Sequence, residues 1–395
     1  MTWIEAADRT LVPAYGRTPV KFIRGDGVWL YDHEGLEYLD CLTGLAVVAV
    51  GHANPRVAKA AGAQLSELVH VSNLFYNQPM VDLAARLTRL SGLDRVFFAN
   101  CGATANETAI KLARRHAQKR YGNKRYEVVS LLDSFHGRTL ATLAATGQPA
   151  KQQTFHPLPP GFRQVAQGDI NALEDAVDGR TAAILLETTQ GEGGVVPLSA
   201  SYLQAAREIC DRKGVLMIVD DVQAGMGRTG HLFSWQGLGF KPDIATVAKA
   251  MANGLAMGAC LAREKVANAF GPGDHGTTFG GGPVPCSAAL AVLDEIEERD
   301  LLGNCQERSR QLAEGLSSVD GVVGVRGRGL LLAAILEGDW AAAVTGRALE
   351  MGLVVNNVRP NAVRFAPPLT ISAAETAEAI SRFAAALSDS ISAEN

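Results

Sequence analysis

Four short segments of the chain hold residue types whose order could support chemistry. VLMIVDDVQAGMGRTG (215–230) ends an apolar run on Asp220 and Asp221, and DIATVAKAMANGLAMGACLA (243–262) places Lys249 just past another. A lysine at such a point is ordinarily solvated unless a partner chemistry engages its amine. ANCGATANETAIKLARRHA (99–117) runs from an apolar stretch through Gly102-Ala103 into a helical pattern. A helix opening there offers free backbone N–H groups and the positive end of its dipole, which is a phosphate site; an ordinary strand-to-helix turn reads the same way. DSFHGRTLATLAATGQ (133–148) holds Phe135, His136 and Arg138 in one loop. An aromatic side chain can stack on a flat ring, and an arginine fork suits a carboxylate. A solvated arginine and a packed or polar histidine fit that loop as well.

Residues 225–230, GMGRTG, also satisfy the glycine spacing of a dinucleotide-binding loop. That fingerprint requires a strand, a glycine loop opening directly into a helix, and an acid about 20 residues further on. Here HLFSWQGLGFKPD follows, with two more glycines, a proline and no helical period, and the acids precede the glycines. The context argues against a dinucleotide.

The elements that must position these residues alternate. Short apolar runs at 95–99, 126–132, 182–187, 215–221, 243–248 and 258–262 read as buried strands, and 104–121 and 199–213 carry apolar positions at helical spacing. Strands alternating with helices predict an α/β fold with a mostly parallel sheet covered on both faces. Ligands of such sheets sit beyond the carboxyl ends of the strands, where Asp220 and Lys249 fall. From 283 onward the pattern changes: helices over 283–298 and 304–318, GVVGVRGRGLLLAAILE, another helix, GLVVNN, and an amphipathic stretch at 372–387. That reads as a smaller α+β lobe. GVWLYDHEGLEYLDCLTG reads as a hairpin turning at Asp32-His33-Glu34-Gly35. The expected division is a segment 1–50 packing with the small lobe, a large domain 51–282 and a small domain 283–395.

The 395 residues are 47% apolar and 20% charged, a globular composition, and the net charge of −4 gives no basic excess to suggest nucleic acid. The first residues lack a cationic stretch followed by an apolar one, and no apolar run approaches the roughly 20 residues of a membrane span. Six cysteines at 41, 101, 210, 260, 286 and 305 show no CxxC pair, and the eight histidines show no ligand spacing. No metal is expected, and free thiols suit a reducing cytoplasm.

Taken together with RGDGVWLYDHEGLEYLD, GHANP, VSNLFYNQP, FHGRT, QGEGGV, DDVQAGMGRTG, GTTFGG and RFAPPL in this order, the segments resemble one family over about residues 13–368. The chain is similar to the class III, pyridoxal-phosphate-dependent aminotransferases of fold type I, and within them to the acetylornithine and ornithine aminotransferases. The resemblance implies pyridoxal 5'-phosphate, with Lys249 condensing with its aldehyde and then moving the proton, and Asp220 pairing with the pyridine nitrogen. It implies Gln223 on the ring hydroxyl, Val222 and Phe135 on the two ring faces, and the Gly102 and Ala103 amides on the phosphate. Thr278 is expected to reach the phosphate from the other subunit of a homodimer. Arg138 is implied to take the carboxylate of acetylornithine and Arg364 the α-carboxylate of glutamate, with Glu192 covering Arg364 in the other half-reaction. Tyr15 and Thr277 are further substrate contacts by the same resemblance. The implied reaction moves the ω-amino group of N-acetylornithine to 2-oxoglutarate, in arginine biosynthesis.

The chain departs from the family pattern around this machinery. Cys101 stands where a serine is usual, Thr104 and Asp221 where glutamates are, Gly282 and Val48 where asparagines are. Other readings are a paralogue acting on another ω-amino compound, a related aminomutase or decarboxylase, and a cofactor-binding subunit without catalysis.

Overall fold

The computed structural model describes residues 2–394. Its centre is a seven-stranded sheet of β1 (Arg95–Ala99), β2 (Glu127–Leu131), β3 (Phe162–Val165), β4 (Thr181–Leu186), β5 (Leu216–Asp220), β6 (Ile244–Val247) and β7 (Gly258–Ala262). The strands lie in the order β1-β7-β6-β5-β4-β2-β3. Only β7 runs antiparallel to its neighbours, β6 and β1. β2, β4, β5, β6 and β7 are buried at every residue, which is why they read as unbroken apolar runs rather than alternating ones. Alternate residues still serve opposite faces. Leu216 and Ile218 pack with Ile110 and Ala113 of helix Gly102–Tyr121, whereas Met217 and Val219 share a core with Leu203 and Ala206 of helix Ala200–Lys213.

The edge strand β3 was not expected: its FRQV sequence is half-buried and offers no apolar run. The helix after the first long C-terminal one starts at Leu301 rather than 304, because the Asp300 carboxylate accepts the Gly303 amide at 3.3 Å and caps it.

The C-terminal part forms a four-stranded antiparallel sheet of Val322–Arg328, Leu331–Leu336, Ala362–Phe365 and Asn356–Arg359, with helices Leu301–Ser317, Ala341–Glu350 and Ala373–Glu394. The N-terminal hairpin pairs Trp29–Asp32 with Glu37–Asp40, and Asp32 accepts the amides of Glu34 and Leu36 across the turn at 2.9 Å. Leu353–Val354 joins this hairpin in parallel beside Leu39 and Asp40. Met1 and Asn395, the outermost residues of the expected segments, lie outside the described residues. Among the described residues no helix is long and apolar enough to cross a membrane.

Candidate active site

The carboxyl ends of the sheet strands converge on a cavity of about 390 Å³. Its lining includes Gly102, Ala103, Phe135, Arg138, Glu192, Asp220, Val222, Gln223 and Lys249, so nine residues singled out from sequence meet in one place. Arg364 stands behind Glu192 and Gln223.

Lys249 opens a short helical turn after β6 with a left-handed backbone, φ 45°. A non-glycine residue adopts this region only when its surroundings impose it. Asn253, at the end of that turn, ties it to a neighbouring stretch of the chain: its side chain accepts the Val50 amide at 3.0 Å and donates to Gly51 O at 2.9 Å. Burial lowers the Lys249 pKa, and Arg364 lowers it further against the opposing charges of Glu192, Asp220 and Glu187. A larger share of its amine is therefore unprotonated and able to take a proton or attack a carbonyl.

Asp220 ends β5 and is 4% exposed. One oxygen, Oδ1, accepts the Val222 amide at 3.1 Å; the other, Oδ2, lies 2.7 Å from Asn106 Nδ2 and 2.8 Å from His136 Nδ1. No lysine or arginine pairs with it among the described residues. Its oxygens are suited to a protonated nitrogen presented from the cavity.

On another side of the cavity, Thr104 accepts the amides of Asn100 and Cys101 on its hydroxyl, both at 3.0 Å. That closes the chain into helix Gly102–Tyr121 and leaves the first-turn amides of Gly102 and Ala103, which have no intrahelical acceptor, beside the cavity. A side chain at 102 would not fit, since an added Cβ would come 2.6 Å from Val222 Cγ1. An anion cup, a ring-sized apolar slot lined by Phe135 and Val222, a buried carboxylate and a lysine match the parts of pyridoxal phosphate: phosphate, ring, ring nitrogen and aldehyde.

The substrate side is built from two arginines in opposite states. Arg364, on strand Ala362–Phe365, is 0% exposed. Its Nη1 donates to Glu192 Oε1 at 2.7 Å and Gln223 Oε1 at 3.1 Å, its Nε to Asn356 Oδ1 at 3.1 Å, and its Nη2 finds no partner among the described residues. Burial works against ionising Glu192, but Arg364, Lys249 and Gln223 outweigh it and hold its pKa below the usual carboxylate range. Arg138 is exposed at the cavity, with its guanidinium 5.7 Å from the Phe135 ring centre, and forms no ion pair among the described residues.

Three expected contacts lie elsewhere. Thr277 donates its hydroxyl to Asn100 Oδ1 at 3.0 Å, while Thr278 is exposed and Tyr15 is 76% exposed, and none of the three lines the cavity within one chain. Residues 225–230 form consecutive turns with no helix after them. They carry Arg228 into the protein interior, where it donates to Leu330 O at 3.1 Å and to Pro367 O. Sequence reasoning passed over Asn106, Glu187 and Thr246. Asn106 follows Gly102 by four residues on one helix, the spacing that puts both on the same face, and this was the signal available for it. Glu187 lines the cavity and accepts the amides of Phe135 and Gly191; burial raises its pKa to about 7, with His136 lowering and Asp220 raising it.

A lysine, a buried acid and an anion-binding helix start at the strand ends of an α/β sheet define an enzyme that works through a bound phosphorylated carbonyl group. Comparison with known proteins sharpens the class. The family model for class III aminotransferases matches residues 12–387, and the chain belongs to that family. It is 44% identical over 373 residues to the acetylornithine aminotransferase of Methanocaldococcus jannaschii, covering 93% of this chain and 94% of that protein. Among solved structures it resembles the N-acetylornithine aminotransferase of Stenotrophomonas maltophilia (34% identity, 99% of this chain and 100% of that one, TM-score 0.86). It also resembles the ornithine aminotransferase of Toxoplasma gondii (31% identity, 99% and 95%, TM-score 0.95). The chain is an aminotransferase.

Proposed function

We propose that the protein transfers the ω-amino group of N-acetylornithine to 2-oxoglutarate with pyridoxal phosphate, as a step of arginine biosynthesis in the cytoplasm. The observation that carries this reading is the pair of unlike arginines. An amino donor with a single carboxylate is served by exposed Arg138 while Glu192 keeps Arg364 neutralised. Glutamate needs a second cation, which Arg364 supplies once Glu192 moves away. Two substrates of different charge thus use one cavity without leaving a buried guanidinium unpaired. The similarity to acetylornithine aminotransferases supports the choice of donor, and six unpaired cysteines suit the compartment.

Pyridoxal phosphate supplies an aldehyde for the amine and a ring that withdraws electrons from the carbon losing its proton. The chain does the rest. The Lys249 amine, kept partly unprotonated by burial, would be the base that takes the proton from the carbon bearing the substrate amine and the acid that gives it back. Asp220, buried with its oxygens at the cavity, would accept a hydrogen bond from the ring nitrogen. Gln223, whose Nε2 is only 3.5 Å from Glu192 Oε1, would donate to the ring hydroxyl, and the Gly102 and Ala103 amides would hold the phosphate.

The proposed assembly is a homodimer in which Thr278 of the partner subunit completes the phosphate site. Its support is an exposed apolar patch beside that strip: Leu74 is 86% exposed, Phe75 66%, Tyr76 89% and Phe279 69%. Asn73 ties the patch to Thr277 O and Gly280 O at 3.2 and 2.9 Å. Thr277 and Tyr15 are proposed as outer substrate contacts, and residues 51–282 and 283–395 as the two domains between which substrates enter.

The test is a half-reaction. Glutamate should aminate the cofactor on the enzyme, and N-acetylglutamate 5-semialdehyde should then restore its visible absorbance, with Lys249→Ala abolishing both. Restoration by a different ω-aldehyde but not by this one would replace the proposed donor with another ω-amino compound.

A further inference from the structure

The buried surroundings of Asp220 hold more order than a carboxylate facing a ring requires. Asn106, 1% exposed, donates from Nδ2 to Asp220 Oδ2 at 2.7 Å and to His136 O at 2.8 Å. Thr246, 0% exposed, lies with its hydroxyl 2.7 Å from Asn106 Oδ1. The two assignments fix each other. Neither Asp220 Oδ2 nor a backbone carbonyl can donate, so both Asn106 N–H groups must point to them and Oδ1 must point to Thr246. The Thr246 hydroxyl must then be the donor. Turning the amide over would set Oδ1 against a carboxylate and a carbonyl at once, leaving buried acceptors without protons.

The sheet delivers this arrangement. Thr246 on β6 is in register with Asp220 on β5, so the two side chains leave the same face of neighbouring strands. Asn106 reaches them from the helix whose first amides face the anion cup.

The geometry points to Asn106 and Thr246 as positioning residues for the aminotransferase reaction. The Thr246 hydroxyl sets the Asn106 amide, and that amide holds Asp220 so that Oδ1 stays turned to the ring nitrogen of the cofactor. This inference rests on the proposed pairing of Asp220 with that nitrogen. Neither residue touches substrate or the reacting atoms, and each acts through Asp220.

The experiment uses the full chain with pyridoxal phosphate. Cofactor dissociation constants, visible absorbance maxima and single-turnover amination by glutamate are measured for Thr246→Val, Thr246→Ser, Asn106→Ala, the Thr246→Val/Asn106→Ala double variant and Asp220→Asn. Losing the Asn106 hydrogen bond to charged Asp220, directly or by freeing the Asn106 amide to turn away, is expected to slow amination or weaken cofactor binding by roughly tenfold to a hundredfold. Thr246→Val should do so with a shifted absorbance maximum. Thr246→Ser, which keeps the hydroxyl, should stay near the parent protein in both, and Thr246→Val should add nothing once Asn106 is alanine, because the two residues act in series. A Thr246→Val protein with parental spectrum and rate overturns the inference, as does a Thr246→Ser protein impaired as much as the valine variant. If the valine variant does not fold, Asn106→Ala with a parental spectrum and rate overturns it equally. Asp220→Asn separates the two levels. If it too leaves spectrum and rate unchanged, the pairing with the ring nitrogen is wrong; if it alone abolishes them, only the positioning role fails.

Discussion

Replacing Glu192 by glutamine keeps the side chain's shape and removes its charge, which makes it the sharpest probe of how one cavity serves two substrates. Arg364 is wholly enclosed, and of its three bonded partners only Glu192 is charged; Gln223 and Asn356 are neutral amides. Removing one partner of a buried ion pair costs about 3–5 kcal/mol. A glutamine oxygen can still accept one neutral hydrogen bond worth about 1 kcal/mol, and Glu192 is 27% exposed, which favours the low end. About 2 kcal/mol remains, or roughly thirtyfold. The effect differs between substrates. The α-carboxylate of glutamate no longer competes with Glu192 and recovers that energy, so its binding should tighten about thirtyfold. The ω-amino donor leaves Arg364 uncovered in both the free and the bound variant, so the cost cancels and its kcat/KM should stay near the parent value. Stopped-flow measurement of each amination half-reaction reads the two separately. Equal shifts in the same direction for both substrates, or no shift in either, would refute the switch.

Three further outcomes follow from the same geometry. Arg138→Met should weaken donors that carry a carboxylate by roughly tenfold to a hundredfold in KM and leave unsubstituted alkylamines unaffected, as initial rates will show. Arg228→Met should lower the melting temperature, because Leu330 O and Pro367 O lose buried donors worth about 1–3 kcal/mol together. It should also raise the KM for glutamate, since Pro367 follows Arg364 by three residues. Asp221 is fully buried, and burial raises its pKa from 3.8 to about 7, with the Ser234 hydrogen bonds pulling down and Asp220 pushing up. The folded protein therefore keeps a proton that the unfolded chain releases, so stability falls as pH rises from about 4 to about 7 and then levels. Asp221→Asn should remove that slope, for a relative gain on the order of 4 kcal/mol at pH 8 over pH 4, read from urea unfolding midpoints; parallel pH profiles for the two proteins would contradict it.

The strand ends were legible in the sequence because β2, β4, β5, β6 and β7 are buried throughout and write their apolar character without interruption. β3 was not, since a half-buried edge strand carries Arg163 and Gln164 and resembles a loop. Lys249, Asp220 and the Gly102-Ala103 turn stood out because each sits next to such a run, but their roles came from the family resemblance. The partners of Asp220 could not. Thr246 lies inside the apolar run DIATVA, where a threonine reads as strand filler, and only the register of β5 with β6 sets it beside Asp220. Arg228 was hidden differently: its glycine-rich context suggested a phosphate loop, whereas the turn sends the guanidinium into the join with residues 330 and 367. Thr278, Thr277 and Tyr15 were placed by resemblance alone, and one chain gives them no cavity to line.

The places of the five residues that the family resemblance marks as departures bear on specificity. The Thr104 hydroxyl takes the amides of Asn100 and Cys101, so the turn into helix Gly102–Tyr121 is closed by a short side chain. Asp221 accepts the Ser234 amide at 3.0 Å while its Oδ1 has no partner among the described residues, and it does not line the cavity. Gly282 starts helix Pro283–Glu298 without a side-chain cap, and Val48 is half-buried beside Val47, which alone of the two lines the cavity. Only Cys101 faces the site, at the anion cup. Of the five, only Cys101 and Thr104 belong to the turn at the anion cup, whereas Arg138, Glu192 and Arg364 form the other side of the site. Substitutions at 101 and 104 should therefore move the dissociation constant of the cofactor while leaving the ratio of KM values for the two amino substrates in place. Restoring Cys101→Ser and Thr104→Glu together is the direct measurement: a changed substrate ratio with unchanged cofactor affinity would show that the phosphate turn, and not the arginine pair, sets the choice of donor.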